Sequence, residues 1–280
     1  MIRLFLSLCS ILPLKINHIF GALIGKLLYI FGSEAKKVSV QNVEICFPEL
    51  SLKDQKSLVK SALIHTGKNL TESGLIWNQS FSKNVNYVCD FNGEHYLDNQ
   101  KKTILLVPHI GCWELTGRVL ANTRKVTFMY KPLRSQKQND YLFKRRNKGN
   151  LTMASADKSG ILKIQRALKN RELIGMLPDQ DPGEEGGIMS PFFNKEANTM
   201  TLLAKIANKN DLQVLMFWAK RLPKGRGYEL NLEPVELNLN GDTLEDHVAS
   251  MNRCVEDLIR KMPEQYMWSY KRFKATHSYS

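Results

Sequence analysis

Paired cysteines are missing from this 280-residue chain: Cys9, Cys46, Cys89, Cys112 and Cys254 stand singly, with no C-x-x-C spacing and an odd total. Their scatter argues against a disulfide framework and a cysteine-built zinc or redox site, and points to reduced thiols facing the cytosol. Also missing is any uninterrupted apolar run of the ~18–20 residues that a secure membrane span needs. No internal repeat, low-complexity tract or RNA- or DNA-binding motif is apparent, which counts against a nucleic-acid partner. Acidic residues are scarce over one stretch. Between Arg118 and Glu172, fifteen Lys/Arg face three Asp/Glu, a surplus of twelve out of a net charge of +13. A field of that sign favours an anionic partner such as a lipid headgroup, a phosphorylated substrate or an acidic carrier protein, and does not by itself choose among them.

What the chain does have begins with an apolar N-terminus, "MIRLFLSLCSILPLKINHIFGALIGKLLYIF". Pro13 and Lys15 divide it into Leu4–Leu14 and Ile16–Phe31, and Lys26 interrupts the second piece. Arg3 before an apolar stretch resembles a secretory signal, but no A-x-A-like cleavage site follows. Residues 1–31 are therefore expected to form a retained membrane anchor, lying in the interface or shallowly inserted. Residues 32–280 are expected to form the catalytic domain, a length that can bury one sizeable core.

Past the anchor, Ser51 with Asp54 resembles a capping box, and apolar residues at 52, 58, 59, 62, 63 and 70 follow a helical period. An α/β alternation comes next. Strands are expected at Tyr87–Phe91, Thr103–Val107, Lys125–Tyr130, Leu173–Leu177, Gln213–Lys220 and Tyr228–Leu232. Helices are expected at Gly111–Ala121, Asn139–Lys148, Ser159–Asn170 and Thr199–Asn208. Runs such as "TILLV" and "LIGML" are apolar without alternation, as in strands covered on both faces by helices. The fold class is therefore α/β, a mixed sheet flanked by helices.

The chemistry concentrates in "ILLVPHIGCWE". His109 follows a buried strand and precedes a helix, so its ring can reach the cleft at the strand's carboxyl end. Glu114, five residues on, falls in the first helical turn and is expected to reach back to one ring nitrogen, leaving the other free to take a proton. Chance alone supplies about 0.6 H-x4-[DE] matches in a chain of this composition, so the strand–turn–helix setting carries the reading. Cys112, on the same turn, is the rival nucleophile, and a packing role is expected for it. A metal hydrolase is disfavoured, because one His and one Glu fall short of three ligands.

These residues, with "NVEICFPEL", "YKPL" at 130–133, "LPDQDPGEEGGIMSPFF" at 177–193 and "PEQYMWSYKRFK" at 263–274, make the chain similar to the bacterial late acyltransferases of lipid A biosynthesis. That family lies within the glycerolipid acyltransferases sharing H-x4-[DE]. The resemblance implies a glycerolipid acyltransferase-like fold and acyl transfer from acyl carrier protein, or another acyl thioester, to a hydroxyl of a lipid A precursor in the membrane. It places the chain at the cytoplasmic face of the cell inner membrane, with no metal or organic cofactor. His109 and Glu114 would be catalytic. Tyr130, Lys131, Arg145, Arg146, Lys158, Asp179 and Asp181 would bind substrate, the resemblance alone not separating Arg145 from Arg146. Lys131 stands where the family usually has arginine, which keeps the charge and loses bidentate phosphate geometry. A lysophospholipid or another glycolipid is the alternative acceptor.

Overall fold

A computed structural model of the chain describes residues 2–98, 101–133, 135–193, 195–207, 212–237 and 243–279. Helices α1 (Ile2–Ile11) and α2 (Leu14–Ile30) are separated by Pro13, followed by α3 (Glu34–Cys46) and the long α4 (Leu52–Asn78). Ser51 caps α4 as the sequence suggests, its hydroxyl accepting from the Asp54 N–H at 3.2 Å. The short α5 (Phe81–Val85) leads into β1 (Val88–Asn92), β2 (Lys102–Leu106), α6 (Trp113–Leu120), β3 (Val126–Tyr130), α7 (Gln136–Arg146), β4 (Leu151–Ser155), α8 (Lys158–Lys169) and β5 (Leu173–Met176). The hairpin β6 (Gly187–Phe192) and β7 (Lys195–Met200), then α9 (Leu202–Ala207), β8 (Leu212–Arg221), β9 (Tyr228–Pro234) and α10 (Leu244–Lys261) complete the order. The Asn208 end of the expected Thr199–Asn208 helix lies outside the described residues. Its beginning is strand β7 and a one-residue break.

The main sheet runs β1-β9-β8-β2-β5-β3-β4. Strands β8, β2, β5, β3 and β4 are mutually parallel, while β9 runs antiparallel to β8, so the sheet is mixed and predominantly parallel. Its central strands are buried on both faces. Ile104 and Leu106 of β2 join an apolar cluster with α4, α8 and α10, and Leu105 and Val107 join the cluster on the opposite face with α6. That two-sided burial is why "TILLV" lacks alternation.

The N-terminal helices pack against α4 through bare backbone. A Cβ on Gly67 would stand 2.1 Å from the Gly21 carbonyl oxygen, and one on Gly25 would stand 2.2 Å from that of Leu63. The inner face also buries polar side chains. Asn17 donates to the carbonyls of Cys9 and Thr71, at 3.0 and 3.1 Å. The outer face presents Leu4, Leu8, Ile11, Ile16, Ile19, Leu23, Leu27 and Ile30 to the surroundings. Among the described residues no single helix is long and apolar enough to cross a membrane. Helices α2 and α3 pass that test only as a pair bent by 79°. The boundary drawn after residue 31 falls between two helices that both pack on α4.

Candidate active site

Four neighbouring parallel strands deliver the site from their carboxyl ends, the edge where open α/β sheets hold ligands. His109 follows β2, Asp179 and Asp181 follow β5, Tyr130 ends β3 with Lys131 just after, and Lys158 follows β4. Between them opens a cleft of about 910 Å³. Its walls combine apolar side chains, Trp113, Phe128, Leu142, Leu151 and Met153 among them, with the cations Lys131, Arg146, Lys158 and Lys205 and the carboxylates Glu114, Asp157, Asp181, Glu184 and Glu185.

His109 is held by Asp179. The ring Nδ1 lies 2.8 Å from Asp179 Oδ1, and the His109 backbone N–H donates to Oδ2 at 2.8 Å. Buried Asp179 is pushed up by desolvation, but the charge of His109 and the hydrogen bonds from its ring and backbone prevail and hold the carboxyl below its usual range. Tyr266 also bonds Asp179, and burial together with that carboxylate drives the phenol well above its ordinary range. With Nδ1–H donated to a carboxylate, Nε2 keeps its lone pair on the cleft side, 3.1 Å from the Gln180 amide nitrogen.

The expected orienting partner, Glu114, is otherwise engaged. Trp77 Nε1–H donates to its Oε2 at 2.8 Å, and Arg146 donates through Nε to Oε2 at 3.2 Å and through Nη2 to Oε1. The reason lies in the helix. Glu114 is the second residue of α6, and its side chain points to α4 and α7, whereas Asp179 comes from the strand directly beside that of His109. Glu114 nevertheless lines the same cleft and fixes Arg146 there, stacked 5.4 Å over the Trp77 ring.

The remaining expected residues divide. Tyr130, Lys131, Arg146, Lys158 and Asp181 line the cleft, whereas Arg145 is not among its lining residues and lies 5.3 Å over the Tyr141 ring. Asp181 accepts from the Gly183 N–H at 2.7 Å and from Asn198 at 3.0 Å and meets Lys274 at 3.3 Å, which brace the loop that shapes the cleft. These contacts outweigh its desolvation and keep it ionised, its pKa below the usual value. Arg118, counted in the basic stretch, is not a surface residue. Its guanidinium is buried on Asn84 and the Gln79 carbonyl, and desolvation lowers its pKa to about 10. Cys112 is buried beneath the turn, and desolvation followed by the Glu72 charge raises its thiol well above the ordinary range, the opposite of an activated thiolate. Trp268 and Phe273 are core residues, and the Tyr270 hydroxyl accepts from the Asp181 N–H at 3.0 Å.

Sequence reasoning missed Gln180 and Tyr266, and it missed Asp179 as the partner of His109. A signal existed for the last. "LLVPH" and "GMLPD" are two apolar runs that each end in proline followed by one polar residue. The parallel register pairs Leu106 with Met176, which three residues further on brings His109 opposite Asp179. Among the described residues, no group of three or more His, Cys, Asp and Glu is arranged to hold a metal ion.

A strand-end histidine backed by a buried carboxylate, opening on a cleft with apolar and charged walls, is an arrangement suited to a transferase or hydrolase that uses a general base. The chain matches the model of the bacterial lipid A biosynthesis acyltransferase family over residues 2–275 and belongs to that family. It is 31% identical over 267 residues to the Lipid A biosynthesis lauroyltransferase of Escherichia coli K12, covering 94% of this chain and 87% of the relative. It is 28% identical over 276 residues to the palmitoleoyltransferase of the same organism, covering 94% and 86%. A Lipid A biosynthesis acyltransferase of Haemophilus influenzae is also 28% identical, covering 95% and 86%. The chain is thus an acyltransferase.

Proposed function

We propose that the chain transfers a fatty acyl group from acyl carrier protein to a hydroxyl of a lipid A precursor by direct attack, with His109 as general base. The observation that carries this reading is the Asp179–His109 pair, whose histidine opens on the cleft. Asp179 fixes the Nδ1–H tautomer and stabilises the imidazolium that forms, as a buried carboxylate does for a catalytic histidine. The acceptor hydroxyl replaces Gln180 at Nε2 and gives up its proton there. Its oxygen attacks the thioester carbonyl, the carbon–sulfur bond of the tetrahedral intermediate breaks, and the departing thiolate recovers the proton from His109. Arg146, held by Glu114, supplies positive charge beside the developing oxyanion.

The apolar side chains lining the cleft suit a hydrocarbon chain, and Lys131, Lys158 and Lys205 suit the phosphate groups of a sugar-lipid. The outer faces of α1 and α2 favour a seat in the cytoplasmic face of the inner membrane, with aliphatic side chains among the acyl chains. The purified protein, given acyl carrier protein loaded with a fatty acid and a mixture of lipid A precursor and lysophospholipid, tests the reading. Mass spectrometry should find one added acyl chain on the lipid A precursor. Acylation of lysophospholipid alone overturns the acceptor assignment, and no transfer from the carrier thioester overturns the donor assignment.

A further inference from the structure

A second cluster of buried charge lies behind the catalytic turn, outside the cleft. Arg221, at the last position of β8, has no exposed side-chain surface. Its Nε donates to Glu72 Oε1 at 2.6 Å and its Nη2 to Glu72 Oε2 at 2.7 Å, a two-pronged pair with a glutamate of α4. The same Nη2 donates to the carbonyl of Gly111 at 2.9 Å and to Asn69 Oδ1, and Nη1 lies 2.9 Å from His65 Nδ1. On the far side, His18 of α2 places Nε2 2.6 Å from Glu72 Oε1.

Gly111 is two residues from His109 and has φ of +60°. A Cβ there would stand 2.0 Å from the Ala219 carbonyl oxygen, so the turn is pressed against β8. Several neighbouring backbone groups of the turn are paired as well. His109 C=O accepts from Met267 N–H at 3.0 Å, Gly111 N–H donates to Gln265 C=O at 3.0 Å, and Cys112 N–H donates to Ala219 C=O at 2.9 Å. Gln265 in turn grips Arg221, accepting its backbone N–H at 2.9 Å and donating to its carbonyl at 3.1 Å. Among the described residues, Arg221 is the side chain that hydrogen-bonds both the Gly111 carbonyl and the carboxylate braced by α2.

We propose that Arg221, locked by Glu72 and His18, is a positioning residue for acyl transfer that fixes the Gly111 carbonyl and thereby the placement of His109 against Asp179. Five acceptor atoms on Glu72, Asn69, Gly111 and His65 surround Nε, Nη1 and Nη2, with the two Nη2 hydrogens shared among three of them, a spread that the single nitrogen of an ammonium cannot span. The N-terminal helix pair is on this reading part of the support of the active site. Misplacing a reacting group by about 1 Å costs on the order of 10² in rate.

The inference rests on His109 acting as the base, and the test separates the two claims. Arg221→Lys, Glu72→Gln, Asn69→Ala and His109→Ala are made in the full chain, the first three also with Asp179→Asn. Acyl transfer and Tm are measured for each. Arg221→Lys and Glu72→Gln should lower kcat about 10- to 100-fold with KM within about threefold. In the Asp179→Asn background the same changes should cost less than about threefold, because their effect passes through the His109–Asp179 contact. Asn69→Ala unpairs no buried charge and serves as the folded variant if the other two precipitate. It should lower kcat about 3- to 10-fold at unchanged Tm. Fully additive losses, losses confined to KM, or an Asn69→Ala enzyme with parental kcat overturn the positioning role. An active His109→Ala enzyme overturns the base assignment instead.

Discussion

Replacing Asp179 by asparagine tests most sharply which carboxylate serves His109. Both Asp179 oxygens accept hydrogen bonds from His109, one from the ring and one from the backbone, at 2.8 Å each. An asparagine of the same shape has one acceptor and one donor, so one of these contacts must fail. With its NH₂ toward the ring, the asparagine turns Nδ1 into an acceptor and moves the proton to Nε2, which can no longer receive the acceptor hydroxyl's proton. With its NH₂ toward the backbone N–H, two donors oppose each other in a buried site and the turn is pushed away. Inverting the tautomer of a catalytic histidine costs about 10⁴ in the best-studied triad. A fall in kcat of about 10³- to 10⁴-fold is therefore expected here, equivalent to roughly 4–5.5 kcal/mol of transition-state stabilisation. Glu114→Gln should act differently. It loosens Arg146 at the edge of the cleft and should raise KM about tenfold while lowering kcat less than about 100-fold. Single-turnover transfer from a labelled acyl thioester, resolved by mass, measures both. The argument is refuted if Asp179→Asn stays within tenfold of the parent while Glu114→Gln falls as far as His109→Ala.

Three further outcomes are expected. Cys112→Ala should keep activity within about tenfold, and donor mixed with enzyme without acceptor should leave no acyl group on the protein; a stoichiometric acyl-enzyme that vanishes in Cys112→Ala would replace direct attack with a thiol mechanism. Deleting residues 1–31 should yield an aggregated chain even in detergent, since it strips α4 of its backbone-close partner and leaves Glu72 without His18; a monodisperse truncated protein with the parental Tm, by gel filtration and circular dichroism, would contradict this. Burial, then the nearby charge of Arg221, lowers the pKa of His65 to about 2, so an imidazole that takes a proton near pH 6.5 when unfolded refuses it when folded. Its contribution is full above that pH and is lost as pH falls, by at most about 1.4 kcal/mol per unit. Between pH 6.5 and 5, above the range where ordinary carboxylates titrate, the Tm of the parent should drop more steeply than that of His65→Asn, and parallel curves would remove the assignment.

Much of the sheet was legible because its central strands obey a simple rule. Strands buried on both faces are short continuous apolar runs, and the expected segments around 104, 126, 173, 213 and 228 all became strands. Strand β4, "LTMAS", escaped notice because the Thr152 and Ser155 positions dilute its apolarity. The hairpin β6–β7 escaped because its identity rests on pairing rather than on composition. Helix α10 was within reach. Val248, Met251, Val255, Leu258 and Ile259 follow a helical period, and Thr243 caps the Asp246 N–H at 3.2 Å, the device already recognised at Ser51. The site was half legible for a physical reason. Spacing along one chain reveals which residues share a turn or a helix face, so it found His109 and Glu114. The contact between His109 and Asp179 depends on which strand lies beside β2, and that information resides in sheet order rather than in any local window.

Strand β2 has a further consequence, one of timing. It lies between β5, begun about 70 residues later, and β8, begun about 110 residues later, so neither neighbour exists when β2 leaves the ribosome. The helices up to α4 can associate first, because their contacts are made within the first 78 residues. The turn that bears His109 comes later still. Its backbone is pinned by Ala219, Gln265 and Met267, so its shape is set only when almost the whole polypeptide has been synthesised. A nascent chain can therefore settle its apolar helices well before it carries a working base, and a ribosome that stalls before residue 265 releases an inert product.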